Sequence, residues 1–275
     1  MNASDAKGLP IGVFDSGVGG LTVLKALRET MPHEDLVYLG DTARLPYGTK
    51  SPTSISRYAC QATALLQQRN IKLLVVACNT ASAVALEALR KQMDPLPVIG
   101  VVEPGASAAV AARPGGRHLV LATEATVRLG AYREALLSMD AGATVTELAC
   151  ELLVALAEEG WNDGSIAESI VLRYLSDLTD DARHPESVIL GCTHFPLLRD
   201  IFAAVFDDGV SIVDSASTTA AAANQLLSKL LLANDEDHTG DLALLATDGA
   251  TRFARVGGQF LGHDLGHDDI EVVDL

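Results

Sequence analysis

Short apolar runs rich in β-branched residues alternate along this chain with longer Ala- and Leu-rich segments. No other feature constrains the fold as strongly. The runs cover residues 11–14, 36–39, 71–77, 98–102, 118–122, 188–190 and 211–213. Between them, apolar residues recurring at helical spacing predict helices over 21–29, 52–69, 81–93, 127–141, 164–178 and 216–233. Strand, helix and strand in regular succession imply a mainly parallel α/β fold. The runs are apolar throughout, as expected for strands covered on both faces.

A weak internal repeat sharpens this expectation. LLVVACNTAS (73–82) and SVILGCTHFP (187–196) each read as an apolar strand ending in cysteine, then polar residues, then a helix-compatible run. A rougher correspondence links IGVFDSGVGG (11–20) with LVLATEATV (119–127). The expected architecture is two similar α/β lobes facing each other, with Cys78 and Cys192 at strand ends in one cleft. Ligands of open α/β sheets bind outside the carboxyl ends of the strands, which makes this cleft the expected site. GVVEPGA around Glu103 and DDGVSIVDSAS around Asp214 are turn-rich and read as crossings between lobes. The acidic stretch 234–241 reads as a solvated loop.

Composition narrows the function classes. The 275 residues are 48% apolar and 20% charged, which excludes a disordered chain. With 20 basic against 36 acidic residues, the net charge of −16 repels phosphate backbones and anionic membranes. Neither nucleic acid nor membrane is therefore an expected partner. Four cysteines (Cys60, Cys78, Cys150, Cys192) are too few and scattered for a secreted disulfide scaffold. MNASDAKGLP has neither the basic nor the apolar region of a signal peptide, and no apolar run reaches the roughly 20 residues that span a bilayer. A soluble cytoplasmic protein with reduced thiols is expected.

The strand ends concentrate chemistry. Asp15 and Ser16 precede a Gly-rich turn whose spacing does not match GxGxxG, and an Asp there would oppose a pyrophosphate. Asp15 suits an ammonium partner or the orienter of a base; the bland alternative is a helix cap. Pro46, Tyr47 and Gly48 form a turn that could present amides or a phenol, or be an ordinary surface turn. Cys78, Asn79 and Thr80 fall at an expected helix N-terminus, whose dipole and free N–H groups would lower a thiol pKa and seat a carboxylate. A small buried cysteine is the alternative. Thr193 and His194 follow Cys192 in the same way. No CxxC-type pairing accompanies Cys192 and His194, so no metal site is expected. His263 and His267 lie in a Gly- and Asp-rich loop, while Cys60 and Cys150 read as packing residues. Two matched thiols suit proton removal on one face of a carbon and delivery on the other, the logic of a two-base racemase or epimerase. A redox disulfide pair is the competing account.

FDSGVGGLTVL, YLGDTARLPYG, VVACNTASA, GVVEPGA, LGCTHFPLL and VDSA, in this order, resemble the glutamate racemases of the aspartate/glutamate racemase superfamily. ATDGATRFARVGGQFLG resembles the family's C-terminal segment. The resemblance implies two pseudosymmetric lobes, 1–102 with 213–275 and 103–212, with glutamate enclosed between them and a homodimer left open. It implies Cys78 and Cys192 as the acid/bases for D- and L-glutamate, supported by Asp15 and His194 respectively. Asp15, Ser16, Pro46, Tyr47, Gly48, Asn79, Thr80, Thr126, Thr193 and His194 would be the substrate contacts. It further implies catalysis without cofactor or metal and D-glutamate supply for peptidoglycan. A racemase of aspartate or another acidic amino acid, or a non-catalytic amino-acid-binding regulator, are the alternatives. Cys150-Glu151 departs from the family's Cys-Pro and puts only that turn in doubt.

Overall fold

The computed structural model describes residues 6–234 and 237–275; the first five residues of the N-terminal reading and Asp235–Glu236 of the acidic stretch lie outside them. Strands β1 (Ile11–Asp15), β2 (Leu36–Gly40), β3 (Leu73–Val76) and β4 (Val98–Gly100) open a first sheet. A second sheet comprises β5 (Arg117–Ala122), β6 (Thr144–Ala149), β7 (Ser187–Gly191) and β8 (Ser211–Asp214). The chain then returns to complete the first with β9 (Leu242–Ala246) and β10 (Ile270–Val272). The orders are β10-β9-β2-β1-β3-β4 and β6-β5-β7-β8, and every pairing is parallel.

The connecting helices up to the second crossing are α1 (Leu21–Thr30), α2 (Pro52–Gln68), α3 (Asn79–Met93), α4 (Val102–Ala112), α5 (Glu124–Leu129) and α6 (Ala131–Met139). They continue with α7 (Glu151–Glu158), α8 (Gly164–Leu175), α9 (Asp180–Arg183), α10 (Arg199–Val205), α11 (Ser215–Leu230) and α12 (Ala250–Leu261). Local chemistry sets their starts. Ser51 caps α2 by accepting the Ser54 N–H at 3.3 Å, with Pro52 in the first turn. Asp214 caps α11 through the Ser217 N–H at 2.8 Å.

Each sheet is sandwiched between helices. α1, α11 and α12 cover one face of the first sheet, and α2 and α3 cover the other. Helices α7, α8 and α10 cover one face of the second, with α4 and α6 opposite. Strands β1, β2, β3 and β7 are buried at every position, which requires apolar side chains on both faces. Fully burying each of their Leu, Ile or Val side chains is worth about 1.5–3 kcal/mol. Among the described residues, no helix is long and apolar enough to cross a membrane.

Several expectations are corrected. GVVEPGA is the start of α4, because Pro104 sits in the first turn where no intrahelical N–H bond is lost. The predicted helix over 127–141 is two helices, divided at Gly130 in the left-handed region (φ 64°). The segment around Asp214 is strand β8 followed by α11. Val213 and Asp214 still belong to the second sheet, pairing beside Ile189 and Leu190, past the boundary anticipated at 212. β6, β9, β10, α7 and α12 were not anticipated. Thr and Glu interrupt the apolar run of β6, and LALLA of β9 has helix-forming composition.

Candidate active site

Both sheets change direction at matching places. From β1 the chain moves outward to β2 and then crosses to β3 on the other side; β5, β6 and β7 repeat this. These two switch points are where open α/β sheets bind ligands. Asp15-Ser16 and Cys78 leave the first, and Thr123 and Cys192 leave the second. Register makes the correspondence definite. Cys78 lies two residues beyond Val76, which pairs with Phe14, and Cys192 lies two beyond Leu190, which pairs with Leu121. Asp15 therefore corresponds to Ala122, and Ser16 to Thr123.

The two ends open into one cavity of about 630 Å³. Ser16, Pro46, Tyr47, Gly48, Cys78, Asn79, Thr80, Cys192, Thr193 and His194 all line it. Both cysteines are 6% exposed. Two anticipated residues stand behind this lining. Asp15 is buried, its Oδ2 accepts the Gly17 N–H at 2.8 Å, and its Oδ1 has no partner. Thr126 is fully buried and joins Thr80 and Thr123 in a triangle of hydroxyls at 3.0–3.3 Å. In that triangle Thr123 is the member from the second lobe that reaches the cavity.

The thiols have unlike surroundings. Cys78 caps α3, its sulfur accepting the Ala81 N–H at 3.4 Å while the thiol donates to Ser16 Oγ at 3.4 Å. The expected lowering of its pKa is reversed. Burial, reinforced by the Asp15 carboxylate, outweighs the helix N–H and the Ser16 hydroxyl and pushes the thiol up to about 12. Burial likewise raises the Asp15 carboxyl, against the opposing pull of His194 and backbone N–H groups. Cys192 enters a 3-10 turn (Phe195–Leu198) instead of an α-helix. Its sulfur lies 3.7 Å from His194 Nδ1, and His194 Nε2 lies 3.1 Å from Glu158 Oε1. Burial works against the imidazolium, but Cys192 and Glu158 together prevail and push His194 up to about 10. One thiol thus faces a buried carboxylate and the other a histidine–carboxylate pair.

Neighbouring groups hold this arrangement. The Thr22 hydroxyl on α1 donates to the Thr193 carbonyl at 2.8 Å, and a Cβ at Gly19 would fall 2.4 Å from the His194 ring. Phe260 meets that ring edge-on at 5.2 Å. Tyr132 donates to Asn79 Oδ1 at 2.7 Å, which leaves the Asn79 NH2 buried and unpartnered beside the cavity. Asp41, fully buried, accepts the Tyr47 hydroxyl at 2.5 Å and Arg44 Nε at 2.7 Å, fixing the Pro46–Gly48 turn. Glu151, Glu158 and Arg252 also line the cavity; these, with Asp41 and Thr123, are residues that sequence reasoning missed. Asp41 lies within YLGDTARLPYG, directly after a strand; Glu158 has no distinguishing signal in ALAEEG.

Cys60 is half-buried on α2, and Cys150 is packed in the core of the second lobe. His263 and His267 are exposed. Among the described residues, no group of three His, Cys, Asp or Glu side chains is placed to hold a metal ion.

Two like α/β lobes present paired cysteines to one cavity, an arrangement suited to proton transfer on both faces of a carbon, as in an amino-acid racemase. Residues 18–223 match the model of the Asp/Glu/hydantoin racemase family. The glutamate racemase of Geobacter metallireducens is 46% identical over 265 residues, 96% of both chains. The glutamate racemase of Francisella tularensis, solved in complex with D-glutamate, superposes with a TM-score of 0.89 at 34% identity, covering 98% of both chains. The Escherichia coli glutamate racemase, solved with L-glutamate and the activator UDP-MurNAc-ala, gives 0.71 at 30% identity, covering 92% of this chain and 95% of that one. The chain belongs to the Asp/Glu/hydantoin racemase family and, within it, to the glutamate racemases, which are isomerases.

Proposed function

We propose that the cavity interconverts L- and D-glutamate by proton transfer between two cysteines, and that the D-glutamate supplies peptidoglycan synthesis. The observation that carries this reading is the placement of Cys78 and Cys192 at equivalent switch points around one cavity. In the L-to-D direction Cys192, as a thiolate beside the His194 imidazolium, takes the α-proton. The electron pair left on Cα delocalises into the adjacent carboxylate. The unpartnered Asn79 NH2 and the Thr80 and Thr193 hydroxyls are the donors available to that charge. The Cys78 thiol then delivers its proton to the opposite face, leaving a Cys78 thiolate and a Cys192 thiol. The reverse direction exchanges the roles.

Cys78, held up to about 12, is kept as the thiol that can deliver a proton, and His194, held up to about 10, is kept as an imidazolium beside Cys192. Local donors, rather than the field of an anionic chain, retain the anionic substrate. We assign no cofactor to the reaction; activity should persist after dialysis against a chelator and show no pyridoxal absorbance. The four free thiols suit a reducing cytoplasm. For assembly we infer a homodimer, in which the exposed Leu152, Trp161, Ile166 and Leu172 would be covered; sedimentation as a monomer would exclude it.

The test is racemisation of each enantiomer, followed by circular dichroism, with α-hydrogen exchange in deuterated water. C78A and C192A should each lower turnover by about a thousandfold or more. Near-normal activity in either variant, or a clear preference for aspartate, would overturn the assignment.

A further inference from the structure

Glu158 is the last residue of α7 in the second lobe, and Arg252 lies in the first turn of α12, which packs on the first sheet. The Arg252 guanidinium donates to Glu158 Oε2 at 2.6 Å, while Oε1 faces His194 Nε2 at 3.1 Å. One carboxylate therefore divides its two oxygens between a cation of the first lobe and the histidine beside Cys192. Glu158 is mostly buried, whereas the Arg252 side chain is 60% exposed at the cavity rim. Among the described lining residues, Arg252 and His194 are the side chains able to carry positive charge.

We propose that Arg252 is a positioning residue: its ion pair with Glu158, made from the helix packed on the first sheet, holds that carboxylate against His194 and so sustains the proton affinity of the group beside Cys192. This rests on the two-cysteine reading above. A glutamate side chain at a helix end has three rotatable bonds. Without a partner on its outer oxygen, rotation into water competes with its place beside the buried ring. His194 would then face burial with only the Cys192 sulfur to favour its charge. The remaining neighbours do not replace the carboxylate. Phe260 packs on the ring edge-on, Thr193 Oγ1 lies 3.5 Å from Nδ1, and Asp15 interacts through charge alone, without a hydrogen bond to the ring. Arg252 of the first lobe thus supports the imidazolium beside Cys192 of the second through one shared carboxylate.

The experiment is the pH profile of kcat in the L-to-D direction for the wild-type chain, R252M, R252K, E158Q and the R252M/E158Q double variant, each checked by thermal melting. R252M should move the alkaline limb down by about one pH unit, a tenfold loss of proton affinity. R252K, which keeps a cation and a donor, should restore most of that shift. In the E158Q background, R252M should have no further effect on the limb, because its route of action is gone. An unmoved or upward-shifted limb in R252M would overturn the proposal, as would a shift that persists in E158Q. A rise in KM with an unmoved limb would make Arg252 a direct substrate contact and overturn it equally. Absence of racemisation by the wild-type chain would instead defeat the function reading itself.

Discussion

Replacing Gly19 by alanine is the sharpest probe of how the first lobe supports chemistry in the second. An ideal Cβ at this position lies 2.3 Å from Thr193 Oγ1 and 2.4 Å from both Cε1 and Nδ1 of His194. Favourable contacts of a carbon lie at about 3.5–4.0 Å, so something must retreat by roughly 1 Å. The ring has little freedom to do so. Phe260 bounds it at 5.2 Å, Glu158 holds Nε2 at 3.1 Å, and Thr22 pins the Thr193 carbonyl at 2.8 Å. Overpacking of this kind costs about 2 kcal/mol, which in a chain of this size lowers Tm by roughly 4–8 °C. A displacement of roughly 1 Å in an acid–base group costs about 100-fold in rate. The assay is racemisation of both enantiomers by circular dichroism, alongside a melting curve. The equilibrium constant of a racemisation is unity, so kcat/KM must fall equally in both directions, which checks the measurement internally. A variant with wild-type kcat/KM and Tm would refute the claim that the Gly-rich turn is pressed against His194.

Two further outcomes follow from the electrostatics. Cys78, pushed up to about 12 by burial and by Asp15, should alkylate with iodoacetamide far more slowly near neutral pH than a free thiol, and faster as pH rises; mass spectrometry of the Cys78 peptide reads this. Rapid labelling at neutral pH would contradict it. The His194 imidazolium is held at about 10 in the folded chain against about 6.5 unfolded. Its contribution to stability is therefore complete below about pH 6.5 and is lost as pH rises through about 10. Urea unfolding of wild type and H194Q should differ most at the acid end of that window and converge above it. A gap that widened with pH would reverse the sign of the coupling.

Much of the fold and part of the site are legible in the residues themselves. Strands buried on both faces must be apolar throughout, so β1, β3 and β7 stand out. β6 does not, because it is less completely buried and tolerates Thr146 and Glu147. The cysteines, Asn79, Thr193 and His194 are visible because they interrupt such runs at strand ends. Glu158 and Arg252 are ordinary surface-helix charges in sequence. Only the fold brings Arg252 to Glu158, 94 residues away in sequence, and Glu158 to the His194 ring.

The parallel α/β class, the internal repeat and the two strand-end thiols can be read from the residues alone, since periodicity and strand-end chemistry are local. The protonation bias of Cys78 belongs to the tertiary structure. A helix N-terminus alone predicts an acidic Cys78, yet burial beside Asp15 drives it the other way. Desolvation and the nearest charge outweigh a dipole whose influence fades within one turn, and both depend on what the fold brings near.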